Sequence, residues 1–217
     1  MNPVAQMLGS NSLDKLIPSV DWPEGESGVW KIQKFEISEH GATMFNMRAA
    51  LDPGNRCVVP GSYTRLVRGR TTVMSDTPAE KRDHYSFIRA AHGKVLVNGL
   101  GLGMATNALL LKSNVERVVV VENSEDVISL VAPHFRSNPR FELVVGDALE
   151  LKPKDFDVKF DCAWHDIWDS TTPEEYEEMK FLNRRWGRAV GFQGTWCKEE
   201  AARNAAEERR SERGYYW

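Results

Sequence analysis

The stretch Trp164-His165-Asp166-Ile167-Trp168-Asp169 crowds two carboxylates, an imidazole and two indoles into six residues. A carboxylate in such company can orient or deprotonate an attacking amine or hydroxyl. An indole face can hold a sulfonium or ammonium by cation–π attraction, worth up to ~2 kcal/mol when desolvated. Asp166 is the first candidate for the catalytic acid, with His165 and Asp169 beside it, and Trp164 and Trp168 are candidate substrate contacts. The plainer alternative makes the tryptophans core residues and Asp169, with Ser170 and Thr171, a helix cap. His84, in SDTPAEKRDHYSFIRAA, is a further candidate wall of the site, or a packing histidine. Two more acids stand alone: Glu122 closes VERVVVVE, and Asp147 follows RFELVVG. Earlier in the chain, KVLVNGLGLGM carries Gly99, Gly101 and Gly103 at alternate positions. Glycines between a strand and a helix let backbone N–H groups face a ligand with no Cβ in the way.

Regular elements must hold these residues. Val95, Leu96 and Val97 read as a buried strand, and ATNALLLK after the glycines has helix-forming character. VERVVVVE, RFELVVG and FDCAWHD continue as strands, and RAVGFQGTW holds a last one. Helices are expected over residues 75–91, 124–135, 172–187 and 198–214, with Ser75, Asp76 or Thr77 as the first N-cap. Strands alternating with helices imply a parallel sheet with right-handed crossovers. Ahead of it, residues 29–75 show period-two alternation in VWKIQKFEI, TMFNMRAAL and YTRLVRGRTTVM. His40-Gly41, Asp52-Pro53-Gly54 and Gly69 divide them, predicting two to four antiparallel strands. Arg65, Arg68 and Arg70 read there as a solvated strand face, with contact to an anionic substrate as the functional alternative. Residues 1–27 read as a loose arm with one short helix. The expected division is an arm and small β-segment over 1–75 and a Rossmann-like domain over 76–217.

In such a sheet the ligand binds outside the C-terminal strand ends, near the switch point. Read together, those ends describe a nucleoside site. Gly99, Gly101 and Gly103 form the turn, with Asn98 before it. Glu122, about 20 residues on, can accept both ribose hydroxyls, with Asn123 beside it. Asp147 can accept an adenine amino group while the Ala148 N–H serves a ring nitrogen. Met104 fills the third small slot of a dinucleotide fingerprint, so the G-x-G-x-G spacing suits S-adenosylmethionine better than a pyrophosphate.

The motifs NGLGLGM, VVVVENS, VVGDA and FDCAWHD resemble, in order and spacing, those of class I S-adenosylmethionine-dependent methyltransferases. The resemblance covers roughly residues 76–170, and a closer likeness is to the spermidine-synthase (aminopropyltransferase) branch. Members of that branch have a small β-domain ahead of the sheet, an acidic linker helix and a D-x-x-D loop after the fourth strand. DTPAEKRDHY and Asp166-Ile167-Trp168-Asp169 stand in those places here. The resemblance implies Asp166 as the catalytic or amine-orienting acid, Glu122 as the ribose acid and Asp147 as the adenine contact, and it allows a homodimer. The acid of that branch's glycine turn falls on Leu102, and Ser170 replaces the proline after its loop. Losing that acid removes a repulsion toward the carboxylate of ordinary S-adenosylmethionine, which becomes the expected cofactor, with its decarboxylated form as the alternative. The methyltransferase sheet also looks shortened, because no final antiparallel strand pair is recognisable.

Composition narrows the function further. With 28 basic and 31 acidic residues the net charge is −3, which gives no broad surface for nucleic acid. The three cysteines are scattered without a C-x-x-C, so neither zinc nor a disulfide framework is indicated and a cytoplasmic setting is the simple reading. No apolar run nears the ~20 residues that span a bilayer, and the first residues lack the pattern of a signal peptide. A small-molecule methyltransferase is the leading expectation. An aminopropyltransferase acting on a polyamine and a non-catalytic nucleoside-binding protein are its alternatives.

Overall fold

A computed structural model describes residues 10–49 and 57–214. Residues 1–9 of the arm and the Asp52-Pro53-Gly54 divider lie outside the described residues. Helix α1 (Ser10–Leu16) begins the described chain and buries Leu13. Next come β1 (Gly25–Ser27), β2 (Trp30–Ile37), helix α2 (Glu39–Ala49), β3 (Gly61–Arg68) and β4 (Thr71–Ser75). The four strands form one antiparallel sheet in sequence order. Ile32 and Leu66 face each other across β2 and β3 and point into the core.

The alternation read through TMFNMRAAL is corrected: its described part belongs to α2. Ala, Met and Arg are strong helix formers, and no β-branched run holds that segment extended. Glu39 lies in the first turn, and the Ser38 hydroxyl accepts the Gly41 N–H at 3.1 Å, so the expected His40-Gly41 divider lies within this helix. Asp76 is not a helix cap either. Its carboxylate accepts the Val20 N–H (3.1 Å) and the Thr64 N–H (2.7 Å), tying the arm to β3. Thr77 takes the N-cap position of α3 (Pro78–Ala90), with Pro78 pre-set for the first turn.

From α3 the chain alternates as expected. The elements are β5 (Gly93–Asn98), α4 (Met104–Leu111), β6 (Val115–Glu122), α5 (Glu125–Val131), β7 (Phe141–Val145), β8 (Cys162–His165), α6 (Pro173–Trp186), β9 (Phe192–Thr195) and α7 (Lys198–Gly214). All five of these strands are parallel, in the order β7-β6-β5-β8-β9. That order is the start of a doubly wound sheet, with its switch point between β5 and β8. Side-chain alternation splits the core into two layers. Val95, Val97, Val118 and Val120 face α4 and α5, while Leu96, Val119, Val121 and Ala163 face Met179, Leu182 and Trp186 of α6. Among the described residues no helix is long and apolar enough to cross a membrane.

The two sheets meet at the C-terminal strand ends. The Ser27 hydroxyl donates to Asp126 at 2.6 Å, the Arg68 guanidinium pairs with Asp169, and Met74 lies against the glycine turn. The small sheet therefore roofs the place where a doubly wound sheet binds its ligand.

Candidate active site

Backbone chemistry builds the turn first. The Gly99 N–H donates to the Val121 carbonyl and the Asp166 N–H to the Asn98 carbonyl, each at 2.8 Å, so β5 is tied to both neighbours where the glycines begin. Gly99 has φ +96° and Gly101 φ +51°, conformations costly for any residue with a Cβ. A Cβ on Gly99 would lie 1.9 Å from the Asp166 carbonyl oxygen. The Glu122 carboxylate accepts the Leu100 N–H (2.9 Å), the Asn123 N–H (3.0 Å) and the Ser124 N–H (2.8 Å). Of the roughly four lone-pair sites on a carboxylate, three are thus used to hold the turn, and one remains for a ligand. Asp147 Oδ1 accepts the Leu149 N–H at 2.7 Å, which fixes the loop after β7.

Gly99, Gly101, Glu122, Asn123, Asp147, Ala148, Asp166, Trp168 and Asp169 all line one cavity of about 460 Å³. That volume falls in the range of roughly 300–1,000 Å³ typical of small-molecule sites. A second hollow, about 570 Å³, lies on the outside of the small sheet around Phe35 and Tyr63, away from every glycine of the turn. The first cavity is strongly acidic. Glu80 from α3 and Glu175 and Glu178 from α6 add their carboxylates to those of Glu122, Asp147, Asp166 and Asp169. Among the described residues Arg68 is the single basic side chain lining it. Such a field favours a cation and disfavours a phosphate.

Asp166 sits at the inner wall with its side chain 6% exposed. Burial first, then the charge of Glu80 and, less, that of Asp83, raise its pKa to about 8 against a hydrogen bond from the Trp164 indole that lowers it. The carboxyl is therefore mostly protonated at pH 7. Behind it stands His84, fully buried, with Nε2 3.8 Å from Asp166 Oδ2. Burial pushes this imidazole down to about 4, so it is neutral. Neither His84 nitrogen has a hydrogen-bond partner. A neutral acid thus faces a neutral imidazole, 3.8 Å apart with no hydrogen bond between them.

Other sequence candidates lie elsewhere. The expectation of a catalytic His165 is corrected: the ring is fully buried, and both nitrogens are engaged within the sheet. Nδ1 accepts from the Asn98 amide at 2.8 Å, and Nε2–H donates to Gln193 at 3.2 Å. This contact commits the Asn98 side chain to joining β5 to β8, and Asn98 does not line the cavity. Gly103 is a packing glycine, because a Cβ there would come within 3.0 Å of Phe135 and Val131. Trp164 packs on Phe87 with ring centroids 5.0 Å apart, and its indole N–H reaches Asp166 at 3.3 Å from outside the cavity. Leu102 is buried in the core rather than turned to the cavity, so it sets no charge preference there. Sequence reasoning missed Glu80, Met74 and Glu178, all on elements that reach the cavity only through tertiary packing.

No protein-family model and no curated protein matches the chain. Solved structures do resemble it in part. The spermidine synthase of Thermotoga maritima aligns at 22% identity over 76% of this chain and 53% of that one, with a TM-score of 0.39. An S-adenosylmethionine-dependent methyltransferase from Clostridium acetobutylicum ATCC 824 aligns at 19% identity over 50% and 46%, with a TM-score of 0.39. The N-methyltransferase NodS of Bradyrhizobium japonicum WM9 aligns at 16% over 53% and 64%, with a TM-score of 0.41. The parallel sheet, with its strand order β7-β6-β5-β8-β9 and flanking helices, is Rossmann-like. The chain spans about half the length of these solved structures.

Proposed function

We propose that this chain binds S-adenosylmethionine and transfers its methyl group to a small-molecule acceptor. The observation that carries the reading is convergence: the Gly99–Gly101 turn, Glu122 and Asp147, from the ends of three adjacent strands, meet in one acidic cavity. The residues present fit the group. The turn leaves room where side chains would intrude; Glu122, with one acceptor site left, suits a single ribose hydroxyl, and Asp147 suits an adenine amine. The carboxylate-rich wall suits a sulfonium. When bound, the cofactor supplies an activated methyl, so the protein's work is to align, to orient and to exclude water.

Asp166 is the group that acts on the acceptor. Its neutral carboxyl can accept a hydrogen bond from an amine or hydroxyl through its carbonyl oxygen. Ionised, it can take the proton released on transfer, and a pKa near the working pH suits that role. His84 supports it from behind. A second reading, transfer of an aminopropyl group from the decarboxylated donor to a polyamine, is favoured by the excess of carboxylates in the cavity. Direct competition between the two donors separates them.

The test is calorimetric titration with S-adenosylhomocysteine. Saturable 1:1 binding is expected, weakened about ten-fold or more by Glu122→Ala, which loses both the ribose acceptor and the anchor of the turn. Undetectable binding to folded wild-type protein would refute the reading.

A further inference from the structure

The cavity needs a place for the carboxylate that distinguishes S-adenosylmethionine from its decarboxylated form. The six carboxylates that line it besides the neutral Asp166 repel such a group. Leu102, whose place in the turn would be the natural one for a charge-selecting residue, is packed into the core. One compensating charge is left, the guanidinium of Arg68 at the end of β3. This side chain is set in place rather than free. It lies over the Trp30 ring at 5.6 Å and pairs with Asp169 through Nη2. A guanidinium has five N–H donors in a planar fork that matches carboxylate geometry. The bond to Asp169 uses only part of that fork, and the side chain is 51% exposed at the cavity.

We propose that Arg68 is the specificity-determining residue that receives the donor's α-carboxylate and so selects S-adenosylmethionine over the decarboxylated donor. The proposal rests on the nucleoside reading of the cavity. It assigns the small antiparallel sheet a task of its own, because the selecting charge comes from that sheet while the adenosyl contacts come from the parallel one. The Arg68–Asp169 pair has the charges of an amino-acid zwitterion, with the cation available to the carboxylate and the anion to the ammonium.

The experiment compares two ligands that share the nucleoside and the thioether. S-adenosylhomocysteine has the amino-acid carboxylate, and 5′-methylthioadenosine lacks it. Dissociation constants are measured by calorimetry for the full chain, Arg68→Gln and Arg68→Lys. The glutamine variant is expected to bind S-adenosylhomocysteine about ten- to a hundred-fold more weakly and methylthioadenosine within about two-fold of wild type. Lysine, which keeps the charge, should restore much of the loss. Retained methylthioadenosine binding also shows that each variant is folded. Should both ligands weaken equally, or the ratio between them stay at its wild-type value as it would if Arg68 served an acceptor's carboxylate, the assignment is overturned. Failure of both ligands to bind wild-type protein would instead defeat the nucleoside reading on which it stands.

Discussion

Asp166→Asn is expected to make the protein more stable, by a margin that widens as the pH rises. Burial, with Glu80 and Asp83 adding their charge, holds the native carboxyl near 8 against an ordinary 3.8. The native state keeps a proton that the unfolded chain releases near pH 4. Its contribution to stability is complete at low pH and is lost progressively between about pH 4 and pH 8. Asparagine keeps the shape and the acceptor for the Trp164 indole but has no proton to lose. Its advantage should therefore grow by about 1.4 kcal/mol per pH unit across that window and level off above it. Denaturant midpoints of the two proteins at pH 5, 6, 7, 8 and 9 measure it, and parallel curves would show that the carboxyl is not held protonated. The same substitution removes the acid proposed to act on the acceptor. Transfer should fall about a hundred-fold or more, with S-adenosylhomocysteine affinity changed less than about three-fold. Stability gained while activity is lost is the signature of a group held in place for chemistry at the expense of the fold.

The second large effect lies at the first residue of the loop that leads from β5 to α4. Gly99→Ala places a methyl where the Asp166 carbonyl oxygen already is, 1.9 Å away, at a φ of +96° that alanine disfavours. The two atoms it would clash with are both backbone, so no side-chain rotation relieves the overlap. Either the turn or the end of β8 must move. A loss of about 3–5 kcal/mol is expected, from overpacking and backbone strain together. For a chain of this size that is a drop in Tm of roughly 10 °C, read by thermal unfolding at neutral pH. Nucleoside binding should disappear with it, because the same movement displaces the Leu100 N–H from Glu122. Gly69, whose Cβ would meet nothing within 4 Å, is the matching control: its φ of +61° carries backbone strain without a clash, so Gly69→Ala should cost much less.

The parallel sheet was readable because its strands are continuous β-branched runs such as VERVVVVE, which have no other stable use than burial on both faces. Glu122 and Asp147 were readable for a related reason. Glu122 ends buried β6 and Asp147 follows half-buried β7 by two residues, and an acid in either place lies at the carboxyl edge of the sheet whatever the details of packing. Side-chain direction at that edge was not readable. Asn98 and His165 turn toward each other across two strands, a contact between residues 67 positions apart that no spacing encodes. Arg68 looked like one charge on a solvated strand face. Its partner Asp169 lies 101 residues away, and only the docking of the small sheet makes it the base of an acidic cavity. Helix α2 escaped because Met, Ala and Phe alternating with polar residues satisfy period two over a short window. Propensity and the Ser38 cap favour the helix there, with little burial to overrule them.

Amide hydrogen exchange with and without S-adenosylhomocysteine tests the central claim most directly. Added protection is expected at three separate segments together: Leu100–Gly103, Glu122–Ser124 and Asp147–Leu149. Protection confined to one of them, or appearing away from the C-terminal strand ends, would contradict the claim that these three strand ends share one nucleoside.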